Sequence, residues 1–339
     1  MSIDWTGLEG PHTDDIDAAV PVRGAAAKTM GRRGRLRRTM LAVGSSALAI
    51  GALGLPATAS AQQVSPQSTT YRFTTLDDQA DPTFNQLLGI NDGGLIVGYF
   101  GSGLAGHPNK GYRLNPPYGQ GNYVNENFPG SVQTQVTGVN GNGKTVGFWI
   151  DGKGVTRGFY RTTKGRYVSV QRGNGTVTQL LGINGSGVAV GFYTDAKNVN
   201  HGFVLNANTG RAKDVGVSGL TNITAAAIND HGDLAGFGTD AHGATVSFAT
   251  TGGRTIVLQF SGSTNTMALG INDHGEVVGS YAVGQATHGF TWSQADGFRT
   301  VDDPNGLGTT TINGLNDQGQ LVGFYVDGAG NTDGLLATP

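Results

Sequence analysis

Four aspartates at matching places along the chain are the residues best suited to bind a ligand. Each stands in a polar segment rich in Gly, Asn and Asp, and the four are Asp151, Asp195, Asp240 and Asp327. Carboxylates on loops can coordinate Ca²⁺ or accept hydrogen bonds from saccharide hydroxyls. Their spacing matches neither the EF-hand loop nor the nonapeptide calcium repeat, so turn formation is the competing interpretation. We predict that they mark a ligand-binding face and that the protein needs no cofactor.

The histidines do not have the spacing of a metal site. Zinc takes three or four ligands at about 2.0–2.1 Å, whereas His231 and His274 hold the same turn position in two successive repeats and should lie further apart. His201 and His288 begin strands, where we expect them to bond the backbone at the strand edge. The chain has no Cys, which excludes disulfides and thiolate metal sites. We predict no metal site.

Six copies of one phrase position these residues. The phrase is an apolar residue, Asn, two variable residues and Gly, followed by apolar residues and a second Gly. The Asn residues, 43 to 49 positions apart, are Asn91, Asn140, Asn184, Asn229, Asn272 and Asn316. The Gly residues that follow them are Gly94, Gly143, Gly187, Gly232, Gly275 and Gly319. Asn can bond its own backbone at a turn and Gly accepts φ > 0, so we predict that both groups are structural turn residues.

Each repeat has the pattern of four short strands, which in the third repeat fall at 178–183, 188–193, 201–205 and 212–217. Four antiparallel strands per period of about 40–50 residues are typical of a β-propeller blade, with a β-solenoid as the alternative. Repeat six ends after its third strand, while an additional strand at 71–78 resembles the fourth strand of repeat five. We predict an all-β fold, a six-bladed β-propeller of four-stranded blades, closed by strand 71–78 completing the last blade.

The repeats resemble a known bacterial family, the HAF extracellular repeat. The phrases that carry the resemblance are GINDHGEVVG at 270–279 and HGFTW at 288–292. The family is named for a His-Ala-Phe triplet that follows a Gly-Ile-Asn-Asp-x-Gly turn. Here the turn is kept in all six repeats, whereas only His201 and His288 keep the His of the triplet, each followed by Gly. The resemblance implies an exported repeat protein and supplies no catalytic residue.

Residues 1–61 differ in composition from the rest and predict a signal peptide. A cluster of Arg at 32–38 precedes an apolar run at 40–55 and small residues up to Ala61, where we place cleavage. Arg37 and Arg38 resemble a twin-arginine export signal, with an ordinary secretory signal as the alternative. The apolar run of 16 residues is shorter than the roughly 20 of a membrane-spanning helix, and translation could also begin at Met30. We expect an exported protein with one six-repeat domain at 62–339 and no membrane anchor after cleavage.

Charge and strand composition narrow the classes of function. Residues 62–339 contain 15 basic and 19 acidic residues, which argues against nucleic acid as a partner. The positions five, three and two before each turn Asn, which would line a propeller channel, hold no Asp, Glu or His. Hydrolytic sites need such groups to bind cations or move protons.

The sequence therefore favours a monomeric, non-catalytic binding or interaction module with a glycan or protein partner. Two alternatives remain open from the residues alone. One is a hydrolase or lyase that acts on polysaccharide through the loop carboxylates, and the other is a structural envelope or matrix protein. A saturable ligand would separate the first hypothesis from the structural one.

Overall fold

The computed structural model describes residues 70–306 and 308–339. Over these residues the fold consists of β-strands and one turn of 3₁₀ helix at Gln120–Asn122, which confirms the all-β prediction. The predicted signal peptide and its cleavage site lie outside the described residues. Within the described part of the chain, no helix is long and apolar enough to cross a membrane.

The first five repeats each contain four strands, numbered here in chain order after an initial strand β1 (Arg72–Thr75). Repeat 1 contains β2 Asn85–Ile90, β3 Ile96–Phe100, β4 Lys110–Leu114 and β5 Tyr123–Asn125. Repeat 2 contains β6 Gln133–Val139, β7 Thr145–Ile150, β8 Thr156–Arg161 and β9 Tyr167–Val170. Repeat 3 contains β10 Val177–Ile183, β11 Val188–Thr194, β12 Asn200–Asn206 and β13 Ala212–Asp214. Repeat 4 contains β14 Thr221–Ile228, β15 Leu234–Thr239, β16 Thr245–Thr251 and β17 Arg254–Leu258. Repeat 5 contains β18 Asn265–Ile271, β19 Val277–Val283, β20 Ala286–Ser293 and β21 Gly297–Val301.

Repeat 6 takes its fourth strand from the beginning of the described chain. Its own strands are β22 Thr311–Leu315, β23 Leu321–Val326 and β24 Thr332–Thr338. Strand β1 pairs antiparallel with β24, and the sheet order is β1-β24-β23-β22. The paired segment covers Arg72–Thr75 and is shorter than the predicted strand at 71–78.

The strands of each repeat form an antiparallel meander. Repeats 1 and 6 are separate four-stranded sheets. Repeats 2 and 3 share one eight-stranded sheet through a single parallel pair, Thr156 with Val177, and repeats 4 and 5 share another through Thr245 with Asn265. Since one residue pair makes each of these links, the repeat remains the structural unit.

The third strand of each repeat carries a large, fully buried side chain. The residue two places after the start of the triplet is an aromatic or Leu with 2% exposure or less, and the set is Tyr112, Phe159, Phe203, Phe248, Phe290 and Leu335. Burying one such side chain contributes about 1.5–3 kcal/mol. The first triplet residue lies two places earlier, on the same face of the strand, nearer the hairpin that joins the second and third strands.

The six turn Asn side chains form a closed circuit of hydrogen bonds. Each Nδ2 donates to the main-chain carbonyl of the turn Asn in the next repeat at 2.9–3.3 Å. The sixth donor, Asn316, bonds the carbonyl of Asn91 in the first repeat. Each Oδ1 accepts the backbone N–H four residues later at 2.8–3.0 Å, and the turn glycines have φ of 72° to 83°. One side chain therefore both shapes its turn and joins two repeats.

Small residues next to these turns let the repeats approach closely. A Cβ added at any of the five glycines two places before a turn Asn would lie 3.1–3.3 Å from the Cα of the equivalent residue in the next repeat. For Gly314 that residue is Gly89, so the last repeat contacts the first as the others contact their neighbours. The crowding explains why this position holds Gly or Ala in all six repeats.

A buried carboxylate joins the first two repeats. Glu126, in the link after β5, is 1% exposed. It forms an ion pair with Arg113 at 2.6 Å, accepts a hydrogen bond from Thr145, and lies 3.8 Å from Arg161. Burial raises its pKa, and these partners oppose the rise. Cations from both repeats thus compensate one charge between them.

Candidate functional site

A cavity in the middle of the domain is lined by all six repeats. Its walls are the three residues before each turn Asn, at 88–90, 137–139, 181–183, 226–228, 269–271 and 313–315. Its lining side chains are apolar except for Thr137 and Asn313. These two donate to the carbonyls of Leu180 and Leu87 in the following repeat at 2.8 and 2.9 Å. The polar groups at the cavity are therefore engaged in joining repeats.

The four predicted loop aspartates have one local geometry. Each lies at the hairpin between the second and third strands of its repeat. Its Oδ1 accepts the backbone N–H groups two and four residues later at 2.8–3.0 Å. Turn formation, the competing interpretation of these residues, thus occurs at all four and engages one of the two carboxylate oxygens.

The second oxygen of three of these carboxylates meets a polar side chain. Oδ2 of Asp151 lies 2.6 Å from Arg157, that of Asp195 lies 3.1 Å from His201, and that of Asp327 accepts from Asn331 at 3.1 Å. Backbone hydrogen bonds lower the pKa of Asp195 and of Asp327. Burial opposes ionisation of Asp151, but the bonds from Arg157 and the backbone outweigh it, so its pKa is also lowered. All three carboxylates are anions near neutral pH.

An aromatic ring stands beside the aspartate in two of these repeats. In repeat 2 the Arg157 guanidinium lies 5.3 Å from the Trp149 ring, and Phe128 stacks on that ring at 4.2 Å. In repeat 3 the His201 ring stacks on Tyr193 at 5.1 Å, and Arg172 lies 5.5 Å from the same ring. Each loop therefore presents an anion, a cation or imidazole and an aromatic ring together.

The expected role of the triplet histidines is wrong in one respect. His201 and His288 were expected to bond backbone, but both pair with carboxylates. The distances are 3.1 Å from Nε2 of His201 to Asp195 and 2.7 Å from Nδ1 of His288 to Asp302. Since Asp302 follows the fourth strand of its repeat, this partner is positioned by tertiary structure.

The aromatic residues of the second strands bond the fourth strands. Trp149, Tyr193 and Tyr281 reach Ser169, Asp214 and Thr300 at 3.3, 3.2 and 2.7 Å. In repeat 6, Tyr325 makes the same bond to Thr75 of β1 at 2.8 Å. Strand β1 thus supplies the polar partner that β9, β13 and β21 supply elsewhere.

Four threonines and one asparagine at or beside the start of the first strands hold the links between repeats. The residue six places before the turn Asn accepts a backbone N–H from the preceding link at 2.9–3.1 Å, and the five residues that do so are Asn85, Thr134, Thr178, Thr266 and Thr310. Repeat 4 has Ile223 at this place. The recurrence of Thr at a fixed distance from the turn was the available sequence signal for this contact.

The turn histidines approach carboxylates singly. His231 and His274 lie 4.0 and 3.9 Å from Asp273 and Asp317 of the following repeat. Across residues 70–306 and 308–339, no group of three or more His, Cys, Asp or Glu is arranged to hold a metal ion. Both side chains are more than 60% exposed.

Comparison with known proteins identifies the fold. No protein-family model matches the chain, and no curated protein matches it. Among solved structures, a protein assigned as TolB from Agrobacterium tumefaciens has a TM-score of 0.53 at 10% identity, over 80% of this chain and 99% of that chain. The β-propeller domain of the trilobed protease from Pyrococcus furiosus has a TM-score of 0.46 at 8% identity, over 75% and 95%. A fucose-specific lectin from Aleuria aurantia has 0.47 at 10%, over 74% and 89%.

The chain is thus an all-β protein whose structural neighbours are β-propellers. At these identities the likeness concerns the fold alone, since propellers carry many functions.

Proposed function

We propose that residues 62–339 form one six-bladed β-propeller of the HAF-repeat type, closed by the N-terminal strand. Three contacts between the chain ends support it. They are the Asn316 to Asn91 hydrogen bond, the approach of Gly314 to Gly89, and the Tyr325 to Thr75 bond. Each one repeats a contact made between or within the other repeats. Closure leaves no repeat with an unpaired side, which limits association through exposed edges.

We further propose that this domain is a non-catalytic, exported binding module whose ligand is a glycan. The observation that carries the proposal is the common geometry of Asp151, Asp195, Asp240 and Asp327. Two backbone N–H groups fix each carboxylate, so little side-chain freedom is lost on binding.

The hairpins that carry these aspartates lie beside the links between repeats. Thr156 N–H bonds the carbonyl of Thr176 and Thr245 N–H bonds that of Thr264, both of which precede the next repeat. Hairpins and links therefore share one face of the domain, where loops on a rigid scaffold are suited to recognition. Four similar loops favour a ligand that itself repeats, such as a polysaccharide, because linked sites bind with higher avidity than one site.

Charge removal at the four aspartates should weaken this binding at least tenfold without unfolding the protein. In the variant with Asp151→Asn, Asp195→Asn, Asp240→Asn and Asp327→Asn, the amide oxygen can still accept the two turn N–H groups, whereas the anionic acceptor is lost. A polysaccharide at about a hundred times its Kd should raise the free energy of unfolding by about 2.7 kcal/mol, which corresponds to roughly 5 °C in melting temperature. We expect the shift in the wild type and at least a tenfold weaker dose response in the variant.

The measurement is thermal melting of the protein against cell-wall and capsular polysaccharides. Asp273→Asn is the matched control, because Asp273 lies in a turn at the opposite end of the strands and also accepts a backbone N–H, that of Asp230 in the preceding repeat. An unchanged dose response in the fourfold variant would move the site away from these loops. No shift with any polysaccharide would contradict the glycan proposal.

A further inference from the structure

Strands β1 and β24 pair where the two ends of the described chain meet, and we call this pairing the seam. The charged residues at the seam differ from those at the same place in repeat 5. In repeat 5, His288 lies opposite Tyr281, and its Nδ1 is 2.7 Å from Asp302. Asp302 also accepts the N–H of Gly289, the next residue after His288, at 3.2 Å. A base and an acid thus meet across the third and fourth strands.

Repeat 6 replaces this pair by two acids. Asp333 takes the place of His288, since it lies opposite Tyr325. Asp77 takes the place of Asp302, since it accepts the N–H of Gly334 at 2.9 Å. Asp77 follows β1 and Asp333 belongs to β24, so the two carboxylates occupy the positions at which Asp302 and His288 pair in repeat 5.

We propose that the seam between β1 and β24 is a pH-sensitive latch, tight at mildly acidic pH and looser at neutral pH. The seam has hydrogen bonds that favour closure and like charges that oppose it. Protonation of one carboxylate removes the repulsion and leaves the Gly334 hydrogen bond in place, because a protonated carboxyl keeps an acceptor oxygen.

The groups around Asp77 favour its protonated form. Burial raises the pKa of Asp77 to about 6. The hydrogen bond from Gly334 lowers this pKa, and the charges of Asp333 and Asp327 raise it further. Tyr112 and Tyr123 of repeat 1 lie within electrostatic range of Asp77. Asp333 is 9% exposed, and burial, Asp327 and Asp303 raise its pKa against the opposing effect of a hydrogen bond with Tyr325. No base stands where His288 stands in repeat 5.

The sign of the effect follows from these directions. The pKa of Asp77 is higher in the folded protein than its ordinary value of 3.8. The stabilisation from its proton is therefore complete below about pH 4 and is lost as the pH rises through about 6. Neutral pH loosens the seam, and a mildly acidic medium tightens it.

Hydrogen exchange of the full chain, read by mass spectrometry at about pH 5 and about pH 7.5, tests the latch. After correction for the intrinsic exchange rate, the protection of the β1 and β24 amides should fall by about tenfold between the two pH values, which corresponds to a shift of one pKa unit after solvent screening. Asp77→Asn keeps the acceptor for Gly334 without the charge and should remove the fall. Asp333→His recreates the pair of repeat 5 and should also remove it.

Two control variants make the result specific to the pair of acids. Asp78→Asn changes the neighbouring carboxylate, which bonds within its own turn to Ala80, and should keep the wild-type fall. His288→Asp places two acids in repeat 5 and should create a pH-dependent loss of protection in β20 and β21. Equal protection at both pH values in the wild type, or an undiminished fall in Asp77→Asn, would overturn the proposal.

Discussion

Deleting residues 71–78 should lower the melting temperature by about 10 °C or more and drive the protein to oligomerise. The deletion removes the partner of β24 over Arg72–Thr75, and Leu76, which is 8% exposed in the core. Loss of this buried surface costs about 3–5 kcal/mol, equivalent to about 10 °C for a domain of this size. It also exposes the edge of β24 from Leu335 to Thr338, and an open edge recruits strands from other molecules.

Complementation by a peptide controls this experiment. A synthetic peptide of residues 71–78 should restore the melting temperature and the monomer when it is added to the shortened protein. The same peptide with Phe73→Ser and Leu76→Ser should not, since it can form backbone bonds but cannot fill the core. A shortened protein that stays monomeric and melts as the wild type does would show that the strand is not needed.

Breaking the asparagine circuit should have the second largest effect, about 3 kcal/mol for a single substitution. Asn184→Asp keeps the Oδ1 acceptor of Val188 N–H and loses the Nδ2 donor to the carbonyl of Asn229. A carboxylate oxygen then faces a carbonyl oxygen at a residue that is 5% exposed. An unsatisfied buried partner costs about 1–3 kcal/mol, more beside a charge. Denaturant unfolding measures the loss.

Two further substitutions test the circuit specifically. Asn316→Asp should cost about as much as Asn184→Asp, because its donor closes the circuit onto Asn91. Asn208→Asp removes an exposed amide-to-carbonyl bond to Ser186 and should change the free energy of unfolding by less than about 0.5 kcal/mol. If Asn316→Asp had no effect while Asn184→Asp destabilised the protein, the last repeat would not be bonded to the first.

The repeat architecture follows from local features of the sequence. Alternating apolar residues predict strands, and the Asn-x-x-Gly phrase predicts the turns between them, from residues only a few positions apart. The all-β fold and the strand order in each repeat could therefore be predicted from the sequence. The turn function of Asn184 also follows from chemistry within four residues. Strand β1 is shorter than the strand predicted at 71–78, because its length depends on which of its residues pair with β24.

Contacts between repeats could not be predicted from the sequence in this way. The donor function of Asn184 requires a carbonyl 45 residues away, and His288 takes Asp302 as its partner instead of the backbone. Glu126 resembles any loop carboxylate in the sequence, yet it is buried between two repeats beside Arg113 and Thr145. Such contacts depend on how the repeats are placed around the cavity.

An engineered disulfide between the chain ends tests closure most directly. The chain has no Cys, so Arg72→Cys with Thr338→Cys introduces one possible bond, between residues that lie opposite each other in β1 and β24. Directly opposed strand residues have Cβ atoms about 4.5–5.5 Å apart, close enough for a disulfide after small adjustment. The oxidised double variant should be a monomer in which mass spectrometry finds residues 72 and 338 linked. Unreacted thiols, or disulfide-linked dimers only, would contradict closure of the six repeats by the N-terminal strand.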